Sequence, residues 1–417
     1  MSKLEWILRQ LSGKLWIRSA LFCVLGAATA LVAFLVKDLI PQDVPRKIGA
    51  DAVDSILHII ANSMLAVTTF SLSTMVSAYG AATSNVTPRA TQLLLRDRTS
   101  QNALSVFVGA FLFSLVGIVA LSIGLYGESG RVVLFVVTVG VILLIVAVML
   151  QWINYLSRFG RVSETIDLVE KVTAQAIGER IKEPYLGGKK LHTDASAAGS
   201  YPVRYGKIGY VQHLDMSALS KLCGKIHAEF FLCMTPGAFN DGAKPLFYSS
   251  VAMDDEAIQV ACRAYTIGDD RSFEQDPRFG VIVLCEVASR ALSPAVNDPG
   301  TAIDIINTSV RVLAPWVSRH DTPDPDPIYP AIHVRPLATA DLFDDIYGPI
   351  VRDGSGMVQV AVKVQKAMAS LARMGDAETK TVAVRVSEYA FAHAKEALRL
   401  PDDKETIRSL AEAVREV

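Results

Sequence analysis

One long apolar stretch, residues 51–80, carries polar side chains at a spacing that places them on one face of a helix. At 100° per residue they fall within a sector of roughly 60°, with the last of them at its edge. Such side chains can replace part of the water around an ion, or they can hydrogen-bond a neighbouring membrane helix. The set is Asp51, Ser55, His58, Asn62, Thr69, Ser73 and Ser77.

This polar face predicts contact with protein or water, because polar groups in hydrocarbon are costly. Two hypotheses follow. In the first, the protein is a homo-oligomeric ion channel or pore lined by this helix and coupled to a cytoplasmic domain. In the second, it is a membrane-anchored scaffold or sensor that transports nothing, and its cytoplasmic domain binds a partner or a small ligand. Acidic Asp51 and Asp54 favour a cation, but Lys37, Arg46 and Lys47 oppose it, so the sign of the ion stays open.

The composition supports a membrane protein with a sizeable polar part. The 417 residues are 51% hydrophobic, and the excess lies in the first part of the chain. Lys and Arg (41) nearly balance Asp and Glu (42), so no overall basic charge indicates nucleic acid as a partner. The expected partners are instead the lipid bilayer, further copies of the chain and a permeating ion.

Four apolar runs predict a transmembrane domain over residues 19–154, after a cytoplasmic segment at 1–18. The spans are about 19–36, 53–79, 103–126 and 132–153. The third has small residues that permit close helix packing, namely Ser105, Gly109, Ser114 and Gly117. Lys and Arg in the short loops predict that both termini are cytoplasmic.

The rest of the chain predicts a mostly helical α+β domain. Residues 155–200 form a juxtamembrane helix and a flexible, glycine-rich linker, and residues 201–417 form the cytoplasmic domain.

Known enzyme signatures are absent from the sequence, which predicts a protein that is not an enzyme and needs no cofactor or metal. The seven histidines show no pair at helical spacing. The carboxylates of Asp341, Asp344 and Asp345 indicate a solvated helix start. The five cysteines form no C-x-x-C pair, which fits a reducing compartment.

A basic segment follows the polar membrane helix. Thr87 and Pro88 predict a helix start, with proline at the first helical position. Three arginines follow, namely Arg89, Arg96 and Arg98. One interpretation is a helix anchored to lipid headgroups, and the other is an element that couples the membrane helix to the cytoplasmic domain.

A second distinctive segment predicts two helices joined at a corner. Asp276-Pro277 opens the first helix, and Ser293-Pro294 ends it. Asn297-Asp298-Pro299 then opens the next, in the order of a cap followed by proline. Its polar groups either cap helices and form an ion pair, or contact a ligand or subunit. The corner residues are Arg290, Ser293, Pro294, Asn297, Asp298 and Pro299.

These two segments resemble those of a known family. Thr87-Pro88-Arg89 resembles its usual Ser-Pro-Arg segment. Residues 291–299, Ala-Leu-Ser-Pro-Ala-Val-Asn-Asp-Pro, closely resemble its Ala-Leu-Ser-Pro-Gly-hydrophobic-Asn-Asp-Pro signature. The family is the predicted membrane proteins catalogued as domain of unknown function 2254. Ala295 stands where the family usually has glycine, and Gly300 where a large apolar residue is common.

The resemblance spans nearly the whole chain. It implies a multi-pass protein of the bacterial inner membrane, with four N-terminal spans and a cytoplasmic domain. It implies no activity, because none is established for the family.

Overall fold

The computed structural model describes residues 50–95, 97–124, 127–192, 194–198, 200–321 and 325–417, and the isolated positions 20, 24, 25 and 28. The segment 1–18 lies outside the described residues, as does the first predicted span apart from those four positions. Within the described part, three helices are long and apolar enough to cross a membrane: Ala52–Ser84, Thr99–Ser122 and Gly130–Leu156. They match the second, third and fourth predicted spans.

Two compact units make up the described chain. The membrane unit contains the described residues of 50–84 and 91–164. The C-terminal unit contains residues 85–90 and the described residues of 165–417. This unit therefore begins well before residue 201, where the sequence predicted the start of the domain.

The membrane unit is helical. Its helices are α1 (Ala50–Asn85, in this unit to Ser84), α2 (Pro88–Leu95, in this unit from Thr91), α3 (Arg98–Ser122) and α4 (Gly127–Leu156). Asp97 caps α3, because its carboxylate accepts hydrogen bonds from the backbone N–H groups of Thr99 and Ser100, each at 3.0 Å. The four small residues predicted to allow close packing on α3 are all buried.

The C-terminal unit combines a sheet region with a helical region. Its helices are α5 (Val162–Lys182, in this unit from Thr165), α6 (Ala195–Ala198), α7 (Met216–Ile226), α8 (Asp255–Ala264), α9 (Pro277–Leu292), α10 (Pro299–Val317), α11 (Thr339–Gly354), α12 (Val358–Met374), α13 (Ala377–Ala397) and α14 (Pro401–Glu416). Its strands are β1 (Gly188–Lys190), β2 (Tyr201–Val203), β3 (Gly209–Leu214), β4 (Phe230–Leu232), β5 (Phe239–Asn240), β6 (Phe247–Ser249), β7 (Tyr265–Gly268) and β8 (Tyr329–Val334).

The strands form two sheets. The larger has the order β1-β8-β4-β6-β2, in which β8 runs parallel to both β1 and β4. The smaller has the order β5-β3-β7 and is antiparallel. One face of the larger sheet packs on α7 and α8 through a core that includes Phe230, Phe247, Leu219 and Ile332.

The helical region begins with α9, which packs against α10 and α11, and α12 packs against α10, α13 and α14. The mostly helical α+β fold is thus confirmed for the described residues. The sequence predicts helices over about 255–265, 276–292, 299–314, 340–352, 357–374, 377–399 and 402–416. The observed helices match these ranges closely, because apolar spacing and capping residues fix them locally.

The larger differences lie in the short strands. The segment predicted as a flexible linker contains β1 and α6. A strand of three residues has little local signal, and β1 is held by pairing with β8, about 140 residues later in the chain.

Candidate functional site

The polar face of α1 lies opposite the face that packs within the membrane unit. The predicted residues from Ser55 to Ser77 are all exposed, namely Ser55, His58, Asn62, Thr69, Ser73 and Ser77. The buried face is roughly 180° away at 100° per residue, and its members include Val53, Leu57, Ile60, Met64, Ser71 and Met75. Asp51 lies in α1, and its side chain is outside the described residues.

Most hydroxyl groups of α1 bond to their own helix. Thr69 Oγ1 donates to the carbonyl of Leu65 at 2.9 Å, as is usual for threonine in membrane helices. Its oxygen therefore retains only acceptor capacity toward the outside. The Asn62 amide makes no hydrogen bond with any residue that the structure describes.

Ser71 is the polar group that sequence reasoning missed on α1. It is fully buried, and its hydroxyl accepts a hydrogen bond from Trp152 Nε1 at 2.9 Å. Packing inside the membrane unit thus uses a polar residue from the face opposite the predicted set.

Glu286 on α9 joins the basic segment to the C-terminal unit. Thr87 Oγ1 donates to Glu286 Oε2 at 2.9 Å, and the Arg89 guanidinium pairs with Glu286 Oε1. All three residues belong to the C-terminal unit. Thr87 is buried, and the Glu286 side chain is 27% exposed, so this contact is partly shielded from solvent. We call Thr87, Arg89 and Glu286 the Glu286 junction.

The Glu286 junction lies where the chain leaves α1 and enters the C-terminal unit. Residues 85–90 directly follow the membrane-spanning part of α1, belong to the C-terminal unit, and lead back into the membrane unit at Thr91. Pro88 begins α2, as predicted. Arg96 lies outside the described residues, and so does the side chain of Arg98.

The chain enters the C-terminal unit a second time at Thr165, within helix α5. Arg311 on α10 makes a bidentate ion pair with Glu170 at 2.6 and 2.7 Å. A Cβ on Gly280 of α9 would lie 2.1 Å from Thr173 Oγ1, so these two helices touch where α9 has no side chain. Helices α9 and α10 therefore receive both the 85–90 segment and α5.

Arg180 anchors the end of α5. Its guanidinium donates to the carbonyl of Gln275 at 3.0 Å, next to the residue that caps α9. Burial lowers the pKa of Arg180 to about 10, and the nearby Asp276 opposes that shift. The charge is thus kept in a buried position by hydrogen bonding.

The corner between α9 and α10 is built by local hydrogen bonds. Asp298 caps α10 through Thr301, with the hydroxyl at 2.6 Å and the backbone N–H at 3.1 Å. These hydrogen bonds hold the pKa of Asp298 below its usual range. Asn297 has a φ of +50°, a left-handed conformation that asparagine tolerates well. The strained position of the turn is thus 297, and Ala295 lies exposed on its surface.

The residues of the corner do not form the ion pair considered for them. Pro294 and Asn297 are exposed, Pro299 begins α10, and the Ser293 hydroxyl donates to the Arg290 carbonyl at 2.7 Å. The exposed Arg290 guanidinium has no ion-pair partner among the described residues. Near the corner, α9 forms an ion pair through Glu286 instead, one turn earlier.

The carboxylates of α11 are not simply solvated. Arg278 makes a bidentate pair with Asp345 at 2.7 and 3.0 Å and reaches Asp341 at 3.1 Å, and Arg385 pairs with Asp344 at 2.7 Å. Within the described ranges, no group of three or more His, Cys, Asp or Glu residues is placed to hold a metal ion.

The cysteines seen in the structure are free thiols, and three of the four are buried, namely Cys223, Cys262 and Cys285. Burial raises the pKa of Cys223 and of Cys285 to about 12. These thiols pack as apolar side chains. Cys23 lies outside the described residues.

Comparison with known proteins places the chain in a family. The predicted membrane proteins designated DUF2254 match residues 12–370. The chain belongs to this family. The DUF2254 chain is also similar to the uncharacterized protein Mb1321c of Mycobacterium bovis and the uncharacterized protein Rv1290c of Mycobacterium tuberculosis. No solved structure matches.

Both mycobacterial relatives are 23% identical over 333 residues, which is 76% of the DUF2254 chain. The chain covers 63% of the length of each relative. Family membership supports a membrane protein of unknown function, and the resemblance seen in the two motifs is confirmed.

Proposed function

We propose that this DUF2254 protein assembles around the polar face of α1 and forms a homo-oligomeric path for ions, coupled to the C-terminal unit. The proposal places the protein in a bacterial inner membrane as a multi-pass protein with both termini in the cytoplasm. It assigns no catalytic activity, cofactor or metal to the chain, and its partners are the lipid bilayer, further copies and the permeating ion.

One observation carries the proposal. The polar residues of α1 face away from α3 and α4, so packing among these described helices leaves that face uncovered. Apolar side chains beside it are also exposed, including Ile59 and Phe70. A face with polar groups along its centre and apolar groups at its margins suits a helix that lines water between copies.

Polar packing inside one chain is the competing explanation, and it corresponds to the scaffold or sensor hypothesis. The hydrogen bond between Ser71 and Trp152 is packing of that kind, and it uses the opposite face. The first predicted span, of which the structure describes only four positions, is the segment of the same chain that would cover the polar face in this alternative.

Ion flux into liposomes holding the purified full chain tests the proposal. Salts of different cations and anions should give a measurable flux and identify the sign of the ion. Asn62→Leu and Thr69→Leu should each reduce it several-fold, because an apolar constriction hinders hydrated ions. Matched controls are Ser63→Leu and Thr74→Leu. Both residues lie outside the polar face, and their hydroxyls donate to carbonyls of their own helix.

Absence of flux from correctly inserted protein would contradict the pore and favour the scaffold or sensor. If the control substitutions reduce the flux as much as those on the polar face, the ion path is not lined by this face.

Disulfide cross-linking separates neighbouring copies from the first span of the same chain. In protein with its native cysteines replaced by serine, Asn62→Cys should cross-link two copies under oxidation. Ser63→Cys, about 100° further round the helix, should do so far less. A monomeric Asn62→Cys protein, in which that thiol instead pairs with cysteines placed in residues 19–36, would contradict the assembly.

A further inference from the structure

A row of side chains crosses one face of the larger sheet in register. Lys189 of β1 pairs with His333 of β8, which pairs with Phe231 of β4, which in turn pairs with Tyr248 of β6. Paired residues on neighbouring strands share a face of the sheet. On β4, β6 and β8, apolar sequence neighbours of these residues belong to the core on the other face, including Phe230, Phe247 and Ile332. The row therefore forms a second surface with its own chemistry.

A pocket of about 430 Å³ opens on this row. Its walls include Lys189, Lys190, His192 and His333, with Leu191 and Phe231 as the apolar part. The volume lies within the range of about 300–1,000 Å³ that is typical of small-molecule sites. The pocket is thus large enough for an organic molecule as well as a simple ion.

The charge in the pocket favours an anion. Lys189 and Lys190 are exposed, and neither ammonium group forms an ion pair with the residues that the structure describes. Glu229 is an acid beside the row, and its Oε2 lies 3.7 Å from His333 Nε2. Arg335 and Asp194 form an ion pair with each other at 2.6 Å, so their charges cancel. The two lysines of the pocket wall thus carry positive charge that no ion pair with a described residue neutralises.

His333 lies within the row, between Lys189 and Phe231. Its ring stacks on Phe231, with centroids 4.7 Å apart and planes 22° apart. Nε2 is closed to solvent and makes no hydrogen bond within the described part of the chain. Burial lowers the pKa of His333, Lys189 and His192 lower it further, and Glu229 opposes them. An anion beside the ring would raise the pKa of His333, because it favours the charged imidazole.

From this geometry we infer that the pocket binds a small organic phosphate. The phosphate lies between Lys189, Lys190 and His192, because lysine binds phosphate as a compact charge. The apolar part of the ligand lies against Leu191 and the edge of Phe231. The inference does not depend on the proposed pore, since it concerns only the C-terminal unit.

Calorimetric titration of the full chain in detergent tests the site with three probes. Phenyl phosphate should bind, inorganic phosphate should bind more weakly because it lacks the apolar part, and phenol should not bind. The Lys189→Gln/Lys190→Gln protein should bind phenyl phosphate about tenfold more weakly, which corresponds to about 1.4 kcal/mol. Lys366→Gln, an exposed lysine of α12, is the control and should bind like the wild type.

Each alternative outcome would overturn part of the inference. No binding of phenyl phosphate, or unchanged binding in the double variant, would remove the site. Equal binding of phenyl phosphate and inorganic phosphate would show that the apolar part of the ligand adds no affinity, and the site would then be one for phosphate alone. Flux measurements on the same proteins report separately on the pore, so failure of one proposal is distinguishable from failure of the other.

Discussion

Glu286 receives two hydrogen-bond donors from a segment 197 to 199 residues earlier in the chain. A charged hydrogen bond of this kind contributes more than an exposed ion pair, because the carboxylate is partly shielded from solvent. The Glu286 junction is thus a specific contact between the two segments that also carry the family signature.

Substitution within the Glu286 junction should destabilise the C-terminal unit. Arg89→Ala and Glu286→Gln should each lower the free energy of unfolding by about 1 kcal/mol, and the double variant should lose less than the sum. Arg290→Ala is the matched control, since Arg290 lies one turn away on α9 with no ion pair to any described residue, and it should change the value by less than about 0.5 kcal/mol. Denaturant unfolding in detergent, followed by circular dichroism, measures all four.

Equal losses from Arg89→Ala and Arg290→Ala would show that the ion pair adds nothing. Strict additivity in the double variant would lead to the same conclusion.

Asp298 should stabilise the corner through its cap. Asp298→Ala should cost about 1 kcal/mol, whereas Asp298→Asn should keep most of the stability, because asparagine also caps helices well. Asp304→Ala, an exposed carboxylate further along α10, is the control and should be nearly neutral.

The cap also predicts a pH dependence with a definite sign. The folded-state pKa of Asp298 is lowered, so its charge stabilises the fold above the ordinary value of about 3.9. That stability is lost as the pH falls through the lowered folded-state pKa. The difference between the wild type and Asp298→Ala should therefore shrink below about pH 4. A constant difference down to pH 2 would contradict the charged cap.

Helices α5 and α9 touch at Gly280, and this contact belongs to the scale of whole elements. A side chain at Gly280 would displace Thr173 on a helix that Arg311 and Gln275 hold in place. Two helices thus approach closely because one of them has no Cβ at the crossing. The chain that leaves the last membrane helix is therefore fixed to α9 by close packing and to α10 by an ion pair.

Gly280→Ala should lower the free energy of unfolding by about 1–3 kcal/mol, because the new methyl group overpacks this crossing. Gly178→Ala on α5 is the matched control. Its Cβ would meet nothing within 4 Å, so the change should be neutral or stabilising by up to about 1 kcal/mol, since alanine favours the helix. Thermal and denaturant unfolding of both variants checks this. Equal stability of the two variants would contradict the close contact.

At the scale of the whole molecule, the described part of the chain passes from the membrane unit into the C-terminal unit twice, at 85–90 and at Thr165. Both of these segments are held on α9 and α10. If the proposed pore changes state, these two attachments are the covalent routes by which the C-terminal unit affects α1.

Breaking the Glu286 junction should therefore change ion flux without changing assembly. Glu286→Gln should alter the flux rate in liposomes, because the segment that follows α1 loses its charged partner. Arg290→Ala should leave the flux at the wild-type value. Size-exclusion chromatography verifies that both variants keep the wild-type assembly. Identical flux from Glu286→Gln, Arg290→Ala and the wild type would contradict coupling through the Glu286 junction.

The sequence by itself determined the features that depend on neighbours along the chain. The angular clustering of polar residues on α1 follows from helical geometry alone. The starts of α9 and α10 follow from Asp276-Pro277 and Asp298-Pro299, since a cap and a proline act within one turn. The apolar runs fixed three membrane helices for the same reason.

Only the tertiary structure decided the features that depend on distant residues. The packing of α3 and α4 on one face of α1 left the polar face uncovered. The pairing of β1 with β8 turned a predicted linker into a strand and aligned Lys189 with His333. Glu286 meets Thr87 and Arg89 because α9 folds against a segment nearly 200 residues away. Local sequence patterns reflect interactions between residues that are close along the chain, whereas these contacts come from tertiary packing between distant segments.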